Sequence, residues 1–272
     1  MKPKLEDATR RGTQAIERAI AVLRAFERST TLSPTEVAQL LHLSVSTAHR
    51  IVRALHSAGM LGQDPVTERY HLGITTATLG RLALERLGAT TMIPELEALR
   101  DLTGEAVNLG VRIGDEVAVL LQVPSRQPLR YEQEPGQRNP IHVCAMGKVL
   151  LAFGDPRVGM EEPFARYTDA TITTRAGLEA ELDRIRARGT AINFEERVAG
   201  VRAVAVPVHD GHGNVLAALA IQGPAVRLGD DRLPELIAGL TATAQRLSSG
   251  HDLHAAPRAA PPAPSHASAG GS

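Results

Sequence analysis

The sequence contains one cysteine and no tryptophan, and aromatic residues make up only 3% of its 272 residues. The single cysteine, Cys144, excludes an internal disulfide framework and a cysteine-rich zinc module, and it favours a reducing compartment. The scarcity of aromatic rings argues against a base-stacking platform for single-stranded nucleic acid. No segment approaches the roughly 18 consecutive apolar residues of a membrane span. We therefore expect a cytoplasmic protein with no membrane partner.

The formal net charge is zero, which excludes a uniformly basic coat for nucleic acid. Residues 1–73 nevertheless carry ten Lys and Arg against seven Asp and Glu, and the rest of the chain carries the opposite excess. This mild asymmetry is compatible with a DNA-facing N-terminal module and a remainder that faces an effector or a partner. The length favours two domains rather than one.

Three helices are predicted near the N-terminus, after residues 1–12, which are polar and expected to be disordered. The first helix runs from Gln14 to about Glu27 because its apolar residues recur at helical spacing. The stretch 33–36, Ser-Pro-Thr-Glu, is a capping box that opens the second helix. Ser44 is expected to cap the third helix. The residues expected to face inward are Val37, Leu40 and Leu41 in the second helix and Val45, Ala48, Ile51, Val52 and Leu55 in the third.

Two short capped helices joined by a tight turn are typical of a helix-turn-helix, and a predicted hairpin of residues 60–63 and 69–72 makes it winged. If the apolar stripe is buried, the helical period places Ser46, Thr47, His49, Arg50 and Arg53 on the outer face of the third helix. Arg50 suits bidentate contact with guanine, whereas Arg53 is better placed for phosphate. The other candidate DNA contacts are Ser33, Ser44 and Arg69. The alternative is a solvated helix face in a module that docks a protein.

The remaining chain is predicted to be an α+β domain built on an antiparallel sheet. A linker helix spans residues 74–88, and the domain spans 89–250. Its predicted strands are 106–113, 116–123, a further strand near 127–132, 201–208 and 215–222. Its predicted helices are 93–102, 146–153, 176–188 and 230–247. The tail, residues 251–272, is rich in Ala, Pro, Ser and Gly and is expected to be disordered.

Several blocks resemble the IclR-type transcriptional regulators. The residues that carry the resemblance lie in 14–19, 32–38, 46–50 and 69–73 of the winged helix, and in 135–142, 146–152 and 188–224 of the second domain. The resemblance implies a winged helix-turn-helix of residues 13–73 joined to a GAF-like effector-binding domain. It also implies a homodimer or dimer of dimers that binds a double-stranded DNA operator, as a repressor, under the control of a small metabolite. The expected effector is an organic acid, a sugar acid or an aromatic metabolite, and no cofactor is expected.

Where that family binds effectors, the matching positions here are Ala145, Met146, Asn193, Ala203, Ala220 and Gln222. Asn193 stands where an aspartate is common, and Ala203 and Ala220 stand where some members carry Cys and Ser. The resemblance therefore implies a more apolar pocket that makes a small keto acid less secure as the effector. Without the resemblance, Ala203 and Ala220 are ordinary core residues. Buried amides at Asn193 and Gln222 need partners, which a ligand can supply.

His142 and Cys144 raise the alternative of a cysteine enzyme, since residues two apart share a face of a strand. No glycine-rich nucleophile turn accompanies them, and Cys is commonly a small buried hydrophobe, so we expect no catalysis. His209 and His212 do not complete the spacing of a tetrahedral metal site, and no metal is expected. Gly147 and Lys148 lack the flanking residues of a phosphate-binding loop.

Overall fold

The computed structural model describes residues 4–27, 29–86 and 88–249, which form two compact units divided after Arg86. The N-terminal unit contains helices α1 (Lys4–Ala25), α2 (Pro34–Leu40), α3 (Val45–Ser57) and α4 (Ile74–Arg86), with strands β1 (Leu61–Gln63) and β2 (Tyr70–Leu72) between α3 and α4. The two strands form an antiparallel hairpin. This order of elements confirms the winged helix-turn-helix.

The core of the N-terminal unit is small and is shared by α1, α2, α3 and the hairpin. Its buried residues include Val22, Phe26, Val37, Ala48, Val52, Leu61 and Tyr70. Helix α4 is fastened to the hairpin by hydroxyl groups, since Thr76 donates to the carbonyl of Met60 at 2.7 Å. The helix predicted after the wing is thus confirmed.

Three expectations for this unit are wrong. Helix α1 begins at Lys4, so residues 4–12 are helical rather than disordered. Leu40 and Val45, both expected to face inward, have 58% and 54% of their surface exposed. Both residues lie beside the turn between α2 and α3, at the last position of one helix and the first of the other. The apolar period gives the direction in which a side chain points, but at these ends the core does not extend far enough to cover it.

The C-terminal unit contains a six-stranded sheet. Its helices are α5 (Ala89–Thr103), α6 (Ala145–Phe153), α7 (Arg175–Arg188) and α8 (Leu233–Ser249), and its strands are β3 (Ala106–Ile113), β4 (Glu116–Val123), β5 (Arg138–Pro140), β6 (Ala191–Phe194), β7 (Val201–His209) and β8 (Val215–Pro224). The strand order is β5-β4-β3-β8-β7-β6, and every neighbouring pair is antiparallel. Helices α6 and α7 cover one face, and α5 and α8 pack together beside β3, β4, β7 and β8. The predicted α+β architecture is confirmed.

The edges of the sheet differ from the sequence prediction. Residues 127–132 form no strand, and the edge position next to β4 belongs to β5, which pairs with residues 116–118. Beyond that pairing, Val119 exchanges backbone hydrogen bonds with Gly136 and Gln137, which lie in a turn just before β5. The segment before this turn, which includes residues 127–132, therefore forms a loop. Strand β6 was not predicted, because four residues after a helix-ending glycine give too short a pattern to recognise.

The predicted tail of residues 251–272 lies outside the described residues. Among the helices that the structure describes, none has the length and apolar character needed to cross a membrane.

Candidate DNA interface and effector cavity

Helices α2 and α3 are positioned by their caps. The Ser33 hydroxyl accepts a hydrogen bond from the backbone N–H of Glu36 at 3.2 Å, and the Glu36 carboxylate accepts one from the N–H of Ser33 at 2.7 Å. Ser44 opens α3 in the same way by accepting from the N–H of Thr47 at 3.3 Å. Each cap satisfies a backbone N–H that a helix start leaves unpaired. The two serines therefore fix where the turn ends and α3 begins.

The outer face of α3 carries most of the predicted DNA contacts. Ser46, His49, Arg50 and Arg53 are exposed, whereas Thr47 is half-buried and accepts a hydrogen bond from the Ser44 hydroxyl at 2.8 Å. Within the described part of the chain, neither Arg50 nor Arg53 forms a hydrogen bond or an ion pair. Two guanidinium groups one turn apart are thus available to an external acceptor such as a guanine edge or a phosphate.

Arg69, predicted as a contact beside the wing, has partners inside the unit. Its Nη2 lies 2.8 Å from Oε2 of Glu36, and its Nε donates to the Thr31 hydroxyl at 3.0 Å. The hydrogen bond from the Ser33 N–H, followed by those from Arg69, lowers the pKa of Glu36 to about 2. Arg69 therefore joins the hairpin to the start of α2, and the structure gives it a different role from Arg50.

The C-terminal unit contains a cavity of about 420 Å³, measured with its open mouth, on the face of the sheet that also carries α6. All six residues predicted to bind an effector line it: Ala145, Met146, Asn193, Ala203, Ala220 and Gln222. Strand register explains the grouping, because Ala203 in β7 lies opposite both Asn193 in β6 and Gln222 in β8. Directly paired residues point to the same face of a sheet. The cavity floor is therefore one row across three strands.

Gly110 in β3 leaves space for Met146 of α6, which lines another side of the cavity. A Cβ atom at this position would lie 2.8 Å from Sδ of Met146, so the Met146 side chain would have to shift to admit it. Gly147 in α6 is more tightly constrained, since an added Cβ would lie 2.0 Å from the backbone carbonyl oxygen of Ile141. Glycine at 147 thus permits close packing of α6 against the preceding turn.

Four polar residues of the cavity were missed from the sequence: Tyr131, Gln133, Arg197 and Arg202. Tyr131 and Gln133 belong to the loop that precedes β5, Arg197 belongs to the loop after β6, and Arg202 lies near the start of β7. Arg197 Nη1 lies 3.5 Å from the Tyr131 hydroxyl. Loop residues of this kind follow no periodic pattern, so only the folded arrangement brings them together. The Arg202 guanidinium turns to the other face of the sheet, where it lies over the Phe194 ring and its Nη1 donates to Oδ1 of Asp230 at 3.0 Å, so Arg197 is the cationic side chain of the cavity.

Asn193 uses its side chain within the fold. Its Nδ2 donates to the carbonyl of Val143, and its Oδ1 accepts from the backbone N–H of Glu196 at 3.0 Å. The amide therefore joins the turn before α6 to the loop after β6. The geometry favours the structural alternative for Asn193 over a primary role in holding a ligand.

A buried ion pair lies next to this amide. Lys148 in α6 is 1% exposed, and its Nζ donates to Glu196 and to the carbonyl of Ile192, the latter at 3.1 Å. Glu196 is 5% exposed and immediately precedes the cavity residue Arg197. The ion pair thus connects α6, which supplies one cavity wall, with the loop that supplies another.

His142 and Cys144, the candidate catalytic pair, are not arranged as a base and a nucleophile. Residues 141–143 form a 3-10 turn rather than a strand, so His142 and Cys144 do not share a strand face as expected. His142 donates from Nε2 to the carbonyl of Ala165 at 3.0 Å, and burial lowers the pKa of His142. Burial raises the pKa of Cys144 to about 11, which keeps the thiol protonated near neutral pH. The described residues contain no cluster of three or more His, Cys, Asp or Glu that could hold a metal ion.

A winged helix-turn-helix with an exposed basic helix face, followed by a domain that encloses a small cavity, defines an effector-responsive DNA-binding regulator. Residues 15–65 match the model of the IclR helix-turn-helix domain, and residues 83–249 match that of the bacterial transcriptional regulator IclR C-terminal domain. The chain belongs to the IclR family of bacterial transcriptional regulators. DNA, rather than a docked protein, is therefore the partner of the helical unit, and the chain is not an enzyme.

Relatives support this assignment over most of the chain. The HTH-type transcriptional regulator BhcR of Paracoccus denitrificans is 36% identical over 244 residues, which cover 88% of each protein. The HTH-type transcriptional repressor AllR of Klebsiella pneumoniae is 31% identical over 254 residues, 91% of this chain and 93% of the repressor. The solved IclR transcriptional regulator from Alicyclobacillus acidocaldarius is 26% identical, with a TM-score of 0.77 over 86% of this chain and 97% of that chain.

Proposed function

We propose that this protein is a cytoplasmic repressor that binds its operator through α3 and whose operator affinity changes when an organic acid occupies the cavity. The observation that carries the proposal is the pair of guanidinium groups of Arg50 and Arg53, which have no partner among the described residues and lie on the exposed face of a doubly capped helix-turn-helix. Arg197 gives the cavity a positive charge that suits the carboxylate of an organic acid. The similarity to a named repressor supports the direction of control.

The DNA contacts divide into two groups by position. Arg50, with Ser46 and His49 on the same exposed face, reads base edges in the major groove. Arg53 lies one turn further and neutralises phosphate. Ser33, Ser44 and Thr47 lie at helix starts, where hydroxyl and backbone N–H groups suit phosphate oxygens. Arg69 acts mainly by fixing the wing.

Effector control follows from linkage between two binding events. A ligand that binds two arrangements of the protein with different affinities shifts their populations by that difference. The cavity lies in the C-terminal unit and the DNA contacts lie in the N-terminal unit. An effector therefore changes operator affinity through the arrangement of the assembled protein, and not by competing for DNA.

A second copy of the chain covers the apolar residues that α4 exposes. No residue of α4 is buried, and Ile74, Leu79 and Leu82 are 78%, 52% and 49% exposed. When several large apolar side chains are exposed together on one helix, they usually indicate an interaction surface. A homodimer, or a dimer of dimers, places two copies of α3 on two operator half-sites. Leu79→Glu with Leu82→Glu is expected to yield monomers in light scattering, whereas Val226→Glu, an isolated exposed position, leaves the mass unchanged.

The proposal is tested by selecting an operator from a random DNA library and measuring its affinity by fluorescence anisotropy with and without organic acids. We expect one enriched sequence, and an acid that changes its affinity for the wild type but not for Arg197→Leu. Failure to enrich any sequence above the starting library contradicts the DNA-binding part. An unchanged acid response in Arg197→Leu contradicts the assignment of the cavity.

A further inference from the structure

Among the residues of α3, all of which the structure describes, Val45 is the one large apolar side chain that is exposed. It is the first residue of the helix, and 54% of its surface is exposed. The other large apolar side chains of α3, Ile51, Val52 and Leu55, are buried or half-buried in the core of the N-terminal unit. Valine is also a weaker helix former than alanine. Neither packing among the described residues nor helix propensity therefore accounts for a valine at this position.

The helical repeat places Val45 beside the polar residues of the outer face of α3. His49 follows Val45 by four residues and Arg53 follows His49 by four, so the three side chains form one row along the helix. Arg50 lies in the neighbouring row, and all four residues are exposed. Val45 therefore belongs to the same face as the candidate DNA contacts and lies at the N-terminal end of that face.

The chemistry of the major groove restricts what Val45 can contact. The N-terminal residues of a recognition helix are the ones that reach base edges in that groove. Those edges present hydrogen-bonding atoms and one apolar group, the C5-methyl of thymine. A hydrogen-bonding atom covered by a valine loses its water and gains no partner, whereas the thymine methyl gains apolar contact. The valine side chain therefore favours a thymine over the other three bases.

We propose that Val45 contacts the C5-methyl group of a thymine in the operator and thereby helps to determine sequence specificity. This inference rests on the proposed function of α3 as the helix that reads base edges. Val45 and Arg50 are five positions apart, which is about 7.5 Å along the helix axis, and successive base pairs are separated by about 3.4 Å. The thymine therefore lies within about three base pairs of the guanine that Arg50 reads.

The test replaces each thymine of the selected operator in turn by deoxyuridine, which lacks only the C5-methyl group, and measures the affinity of the full-length chain by fluorescence anisotropy. At one thymine within this distance we expect the wild type to bind about fourfold more weakly, the factor that corresponds to burial of one methyl group. Val45→Ala should bind the thymine and deoxyuridine operators equally and should keep the wild-type melting temperature. Leu40→Ala is the matched control, because Leu40 is 58% exposed but lies at the end of α2, and it should retain the fourfold preference.

The contact with thymine is overturned if no thymine in this range is sensitive to loss of its methyl group, or if Val45→Ala retains the wild-type preference. It is also overturned if Leu40→Ala, and not Val45→Ala, removes the preference, because the methyl group then contacts α2. A lower mass of Val45→Ala in light scattering would show that Val45 contacts a second copy of the chain instead. These results leave α3 as the helix that reads the operator. If neither Arg50→Ala nor Val45→Ala changes operator affinity, the proposed role of α3 itself is wrong.

Discussion

Arg50 and Arg53 in the N-terminal unit stand in solvent, whereas Lys148 and Glu196 in the C-terminal unit are buried against each other. A charge that is already hydrated can bind a phosphate with little cost to the fold, because nothing inside the protein depends on it. A buried charge depends on its partner, since leaving it unpaired in the interior is costly. Substitutions on α3 should therefore change binding with little change in stability, and substitutions beside the cavity should change stability first.

The largest expected effect is that of Lys148→Ala. This variant leaves the Glu196 carboxylate buried without its cation, and we expect the free energy of unfolding to fall by about 3–5 kcal/mol. The matched control in the N-terminal unit is Arg81→Ala, which removes the exposed pair between Arg81 and Glu85 and should cost about 0.5 kcal/mol or less. Urea unfolding followed by circular dichroism measures both values. If the two variants lose a similar amount of unfolding free energy, the buried pair is no more important for stability than the exposed pair.

The double variant Lys148→Met with Glu196→Gln sharpens the same comparison. It removes both charges together, so no buried charge is left unpaired, and it should be more stable than Lys148→Ala. A double variant that is less stable than the single one would show that the charges themselves stabilise the fold.

Asn193→Leu is expected to have the next largest effect. It removes the partners of the Val143 carbonyl and of the Glu196 N–H, both in a buried region, and should destabilise the protein by about 1–3 kcal/mol. Gln222→Leu lies on the same floor but removes an amide whose Nε2 has no partner among the described residues, so it should cost less. Melting temperatures without ligand measure the difference. If Asn193→Leu keeps its stability and loses only the effector response, Asn193 is a ligand contact instead.

The exposed helix face is tested by Arg50→Ala and Arg53→Ala. If Arg50 reads guanine, its removal should cost about 1–3 kcal/mol on the selected operator and much less on random DNA. Arg53→Ala should weaken both complexes equally and lower the salt dependence of binding by about one unit. Anisotropy titrations at several salt concentrations separate these outcomes. Both variants should have the melting temperature of the wild type. If Arg50→Ala loses the same amount of affinity for the operator and for random DNA, Arg50 contacts only phosphate.

The two units also differ in what the sequence could predict. The caps at Ser33 and Ser44 depend on residues only three positions away, so a local sequence pattern was sufficient to predict where α2 and α3 begin. Leu40 and Val45 were misjudged because a helical period does not report how far the adjacent core extends. In the C-terminal unit, β3 and β4 were predicted with their observed bounds because both are long and joined by a tight turn. The edge strands β5 and β6, with three and four residues, carry too little pattern of their own.

The cavity shows the same limit more strongly. Its six predicted residues came from resemblance to a family, and their grouping depends on the register of β6, β7 and β8. Tyr131 and Arg197 meet at the cavity from loops that lie 66 residues apart in the sequence. The side-chain atoms of Gln133 and Gln222 that lack a hydrogen-bond partner among the described residues can be found only when every neighbouring donor and acceptor is known. Long-range register and loop paths, which determine those neighbours, are not encoded in any local spacing.

The smallest expected effect concerns the partly exposed pair of Glu36 and Arg69, and it tests whether electrostatics near the surface contribute to the stability of the N-terminal unit. The pKa of Glu36 is lowered to about 2, so its carboxylate stabilises the folded unit above its ordinary pKa, and this contribution is lost as the pH falls towards 2. Calorimetric melting temperatures from pH 6 to 2.5 should fall more steeply for the wild type than for Glu36→Gln, since the variant has already lost the titrating group. The control is Glu97→Gln on α5, an exposed glutamate without an ion pair in the described residues, which should follow the wild-type curve. Parallel curves for the wild type and Glu36→Gln would mean that the bond between the wing and α2 contributes nothing measurable, and that the fold of this unit rests on its apolar core alone.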